Sequence, residues 1–124
     1  MSVAILKQGD YLIASIQSDL SDTGVNQLRQ ELTELVGKYR CRGIVIDVAA
    51  LDVIDSFVTR ALRAIVLTTR LRGAHTVIVG ISPDVAIAMV QFRLNLEPLQ
   101  VALDLDEATA LLDRLTQGDD GDER

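Results

Sequence analysis

The sequence predicts a single α/β domain: a mixed, mostly parallel β-sheet with an N-terminal hairpin and about four helices packed on it. Three observations lead there. Two β-branched runs, Ile44 to Val48 and Thr76 to Ile81, have the composition of strands covered on both faces. Segments with apolar residues at helical spacing flank them, which gives two βαβ units whose right-handed crossovers imply a parallel sheet. At 124 residues the chain is the size of one domain, and folding can bury roughly two-thirds of the surface that the unfolded chain exposes.

In chain order, Val3 to Leu6 and Tyr11 to Ile16 are short apolar segments separated by Lys7-Gln8-Gly9-Asp10, the spacing and turn chemistry of an antiparallel hairpin at a sheet edge. Leu20 to Thr23 offers several N-caps, and Val25, Leu28, Leu32, Leu35, Val36 and Tyr39 then recur at helical spacing. Arg40 to Gly43 stops that helix, and the strand from Ile44 should be central. A second helix is expected from Ser56 to about Leu71, ended by Arg72-Gly73-Ala74. Ser82-Pro83-Asp84 opens a third, with serine as cap and proline at the first helical position, reaching Arg93 or Leu94. Only a brief strand fits between Asn95 and Leu103. Asp104 with Glu107 resembles a capping box before a last helix lined by Leu105, Ala108, Leu111, Leu112 and Leu115. Residues 1–117 are expected to form the domain and 118–124 an acidic, disordered tail.

The net charge is −6, of which the tail supplies −3, so the body is nearly balanced. Nucleic-acid binding is disfavoured, because a basic footprint is absent and aromatic residues for base stacking are only 3% of the chain. Cys41 is the one cysteine, which rules out an intrachain disulfide. With no signal peptide and no apolar run approaching ~18 residues, the expected location is the cytoplasm. Helices two and three are more apolar than contact with one sheet requires, and Val85 to Val90 contains no polar residue. Such helices are either buried on several sides or cover an interface with a subunit or partner, for which Val58, Leu62, Val66, Ala86 and Met89 are the candidates.

The residues offer few catalytic groups. His75 has no Cys or His near it in sequence, and neither a Gly-rich nucleotide loop nor a Gly-x-Ser-x-Gly elbow is present, so no enzyme chemistry, cofactor or metal is expected. Asp47, Asp52 and Asp55 form the densest carboxylate group and leave open a magnesium site or phosphoacceptor. Asp55 also suits the N-cap of helix two. Ser56 stands at that helix start, where backbone N–H groups and the helix dipole favour an anion. A serine in the first helical turn is commonplace, and taken alone Ser56 reads as structural more readily than functional.

Val53-Ile54-Asp55-Ser56-Phe57, between a β-branched strand and an apolar helix, resembles the STAS domain of anti-sigma factor antagonists. Supporting segments are Leu12 to Gln17, Gly43 to Asp47, Gly73-Ala74, Gly80 to Pro83 with Val85-Ala86, and Ala102 to Leu105. Phe57 and Val58, in place of the small residue or glycine that often follows the Asp-Ser core, favour the RsbS-like stressosome-scaffold branch of that family. The resemblance implies a non-catalytic switch. An RsbT-like serine kinase is held by the unmodified protein, phosphorylates Ser56 and is released; an RsbX-like phosphatase resets the site, and an RsbR-like STAS paralogue co-assembles. It also implies a motif role for Asp55 and a switch neighbourhood of Asp52, Phe57, Thr59 and Arg60.

Overall fold

Gly9 adopts a positive φ of 60° between β1 (Val3–Gln8) and β2 (Tyr11–Ile16), and Gln8 pairs with Tyr11 across a two-residue turn. This is the expected hairpin, with β1 two residues longer than its apolar run. The computed structural model describes residues 3–18, 20–91 and 99–122, with only the backbone described for 118–122. After the hairpin come α1 (Asp22–Tyr39), β3 (Gly43–Asp47), α2 (Ser56–Leu71), β4 (His75–Val79), α3 (Pro83–Gln91), β5 (Gln100–Ala102) and α4 (Leu105–Asp122). The five strands lie in the order β1-β2-β3-β4-β5, parallel from β2 onward and antiparallel only at β1.

Alternation along the central strands divides the core into two layers. Ile44, Ile46 and Ile78 face α1, α2 and α3, where they meet Leu28, Leu32, Leu62, Ile65 and Met89. Val45, Val77 and Val79 face the opposite side and pack on Ala108 and Leu112 of α4. A strand with layers on both faces must be apolar at successive positions, which is why β3 and β4 read as runs rather than alternations.

Short polar segments end the elements. Ser21 caps α1 by accepting from the Gly24 amide at 3.1 Å. At its other end Arg40 takes the left-handed conformation, φ 52°, and donates its N–H to the Val36 carbonyl. Gly80 has φ +89° and stops β4 at Val79, two residues before the apolar run ends. Asp104 accepts from the Glu107 amide at 2.9 Å and starts α4. That helix continues to Asp122, so helical backbone runs into the stretch expected to be a disordered tail. The expected end of α3 at Arg93 or Leu94 lies outside the described residues.

Candidate functional site

The loop from β3 to α2 is pinned from beneath and decorated from above. The Val48 amide bonds to the Val79 carbonyl at 2.9 Å, and the Leu51 amide turns back to the Val48 carbonyl at 3.0 Å. Leu51 and Ile54 are buried, so Asp52, Val53, Asp55 and Ser56 are left facing solvent. Asp55 is the N-cap of α2: its Oδ1 accepts from the Val58 amide at 2.9 Å, while its carbonyl accepts from both the amide and the hydroxyl of Thr59. These bonds hold the first turn and present the Ser56 hydroxyl at the positive end of the helix.

Ser56 lies in a groove of about 500 Å³ lined by Asp52, Val53, Ile54, Asp55, Asp84, Val85 and Ala88. Its far wall is the start of α3, fixed by the Ser82 hydroxyl accepting from the Val85 amide and the Ser82 carbonyl accepting from the Ala86 amide. Two helix N-termini thus converge on the C-terminal end of the parallel strands, with Asp52, Asp55 and Asp84 around an apolar floor. Sequence reasoning read Asp84 only as part of a helix start. The signal that could have marked it is topological, since consecutive parallel strands bring successive helix starts to the same sheet end.

The switch neighbourhood is not a single cluster. Asp52 shares the groove with Ser56, whereas Phe57 and Arg60 line a separate cleft against Asp22, Val25 and Asn26 of α1. Thr59 is buried with its hydroxyl turned to the Asp55 carbonyl. Of the five apolar residues expected at an interface, Val58, Leu62, Val66 and Met89 are core residues and only Ala86 is exposed. The excess apolar surface of α2 and α3 consists instead of Leu67, Leu71, Ile87 and Val90.

The carboxylate group also separates. Asp47 follows Val45 on the α4 face, accepts from the Ala49 amide at 2.9 Å and lines a cleft with Ile13, Gly80 and Leu103. Asp52 and Asp55 lie in the Ser56 groove. Among the described residues no three His, Cys, Asp or Glu side chains gather in a way that could hold a metal ion, so the magnesium reading loses its geometry. Cys41 is buried, and burial pushes its thiol pKa up, which disfavours the reactive thiolate. Among the described residues no helix is long and apolar enough to cross a membrane.

Several basic residues stand at the ends of helices or tie elements together. Lys38 and Arg40 end α1, Arg70 and Arg72 end α2, and the Arg42 guanidinium donates to the Thr116 carbonyl of α4 at 2.9 Å. Cations at helix C-termini complement the negative end of the dipole.

Comparison with known proteins matches this geometry to a family. The STAS domain family model matches residues 2–108. The chain is similar to the structure of a serine-to-glutamate variant of Moorella thermoacetica RsbS, with 37% identity, coverage of 94% of this chain and 99% of that one, and a TM-score of 0.76. A chain of the stressosome, whose structure is described as a signal integration and transduction hub, is 38% identical, with 91% and 98% coverage and a TM-score of 0.74. The unphosphorylated anti-sigma factor antagonist SpoIIAA shares the fold at 14% identity, covering 93% of this chain and 98% of that one, with a TM-score of 0.62. No curated protein matches the chain in sequence. With the family model spanning most of its length and the five-stranded sheet and four helices in place, the chain belongs to the STAS domain family.

Proposed function

We propose that this protein is a non-catalytic scaffold and phospho-switch of a cytoplasmic stress-signalling assembly, in which an RsbT-like serine kinase is held until it phosphorylates Ser56. The observation that carries the reading is the coincidence of two things. The chain is similar along most of its length to RsbS and to a stressosome chain, and Ser56 stands exposed at a capped helix start. An RsbR-like STAS paralogue co-assembles with it, and an RsbX-like phosphatase resets it. The chain is the substrate of another protein's chemistry and supplies none of its own.

Phosphorylation adds about −1.5 to −2 charges. The start of α2 attracts them, whereas Asp52, Asp55 and Asp84, which line the same groove, repel them. Because Asp55 and the buried Leu51 and Ile54 already fix the loop, the phosphate stays local and the domain barely rearranges. The kinase leaves because its docking surface has become too negative and too crowded. Incubating the protein with ATP and the serine kinase encoded beside it, then mapping the product by mass spectrometry, tests this. The expected result is one phosphate on Ser56, none on Ser56→Ala, and weakened kinase binding by Ser56→Glu. Modification elsewhere, with Ser56→Ala unaffected, removes the mechanism.

A further inference from the structure

Helical backbone in α4 runs to Asp122 through Gly118-Asp119-Asp120-Gly121-Asp122, a sequence that local chemistry would not choose for a helix. Glycine is the poorest helix former after proline. Acidic residues in a last turn oppose the negative end of the helix dipole, and neighbouring like charges repel. A helix that persists there needs support from outside its own sequence.

Basic side chains stand at that end of the molecule. α4 starts beside the end of β3, and at Leu112 it reaches the start of the same strand, where an added Cβ on Gly43 would stand 2.9 Å from Leu112 Cδ2. One turn on, the Arg42 guanidinium donates to the Thr116 carbonyl at 2.9 Å. Arg42 also lines, with Gly37, Arg40, Arg72 and Gly73, a cleft of about 400 Å³ between the C-terminal ends of α1 and α2. The Arg72 guanidinium lies over the last turns of α1, so near that an added Cβ on Gly37 would stand 2.7 Å from its Nη2. Arg40 and Arg72 are both exposed. Ala108, Leu112 and Thr116 form the buried stripe of α4, and Asp119 and Asp120 follow Thr116 by three and four residues, the spacing that returns a helix to the same face.

We infer that the arginine cleft is a docking surface for an acidic segment, and that its occupant is this chain's own stretch 118–124. Charge complementarity selects that occupant, since the stretch carries four acids and one arginine. Covalent attachment favours it further. Arg42 fixes Thr116 two residues before the stretch begins, which sets its effective concentration on the order of millimolar or above, so ion pairs that are weak singly act together. Docked there, the acids stabilise the end of α4 and tie it to the loops that start β3 and β4. The cleft lies at the opposite end of the parallel strands from Ser56, and the inference does not draw on the switch reading.

The test is the helix content of residues 118–122 in the full chain, read from NMR Cα shifts, with the remaining signals verifying the fold. The two explanations differ in sign. If the stretch acted alone, 1 M salt or Asp119→Asn/Asp120→Asn would relieve repulsion and raise its helix content. Docking on the arginines predicts the reverse: salt, the asparagine variant and Arg40→Gln/Arg72→Gln should each lower the helix–coil equilibrium constant of the stretch roughly three- to tenfold. Arg60→Gln, at the other end of α2, should leave it unchanged. The inference is overturned if salt or the asparagine variant raises helix content or leaves it constant, or if the arginine variant has no effect. Loss of helix on tenfold dilution would also overturn it, because the occupant would then come from another molecule. The salt titration of wild type decides the sign even if a variant fails to fold.

Discussion

Asp55 and Ser56 are adjacent and do different work. The Asp55 side chain satisfies the Val58 amide, leaving Ser56 the exposed hydroxyl of the first turn. Removing the cap with Asp55→Ala should cost about 1 kcal/mol and lower the melting temperature by roughly 4 °C. Asp55→Asn, which caps almost as well, should lose much less, and Asp52→Ala, exposed and outside the cap, should be near neutral. Thermal unfolding of the three variants separates capping from charge. If Asp52→Ala and Asp55→Ala were equal, the assignment of the cap would be wrong. The same variants report on the switch, since loss of one carboxylate from the Ser56 groove should reduce the repulsion that a phosphate meets there.

At the level of elements, what positions the site is the way each one ends. The turn after β4 brings Gly80 so close to the β3 loop that an added Cβ would stand 2.6 Å from Asp47 Oδ1 and 2.8 Å from the Ala49 amide nitrogen, at φ +89°. Gly73 has a similar φ of +92° but open space around it. Gly73→Ala should therefore cost only backbone strain, on the order of 1–2 kcal/mol. Gly80→Ala adds a clash with backbone and should exceed it by about 1 kcal/mol or more. Urea unfolding of both variants checks the order, and equal losses would mean that the β3 loop yields without cost. Because that loop leads into Asp52 to Ser56, the close approach at Gly80 links the end of β4 to the groove.

For the whole molecule, α4 makes the second layer, and its attachment combines packing with polar ties. Leu112 and Ala108 bury against Val45, Val77 and Val79, while the Tyr11 hydroxyl donates to the Asp113 carboxylate and Arg42 donates to the Thr116 carbonyl. Burial, and then the bond to Asp113, raise the Tyr11 pKa above its ordinary value of 10.0. The fold thus favours the neutral phenol, and the unfolded chain ionises first. The contribution is fully present below about pH 10 and is lost as pH rises from there through the folded pKa. The stability advantage of wild type over Tyr11→Phe should hold near neutrality and shrink above about pH 10 in urea titrations. A gap that stayed constant or widened would refute the tie to α4.

Local periodicity and caps in the sequence determined the hairpin, the start and end of α2, the capped start of α4 and the place of Ser56 at a helix start. These depend on neighbours within a few residues, and spacing alone encodes them. Tertiary structure decided which apolar residues remain outside. Val58, Leu62, Val66 and Met89 belong to helices that read as too apolar, yet distant strands and helices cover them, while Leu67, Leu71, Ile87 and Val90 stay exposed. It also sent Asp47 to the α4 face, away from Asp52 and Asp55, and brought Asp84 to Ser56 from the start of another helix. Sheet order, and the choice of which face each crossover covers, fix these relations, and neither is written in the spacing of any one segment.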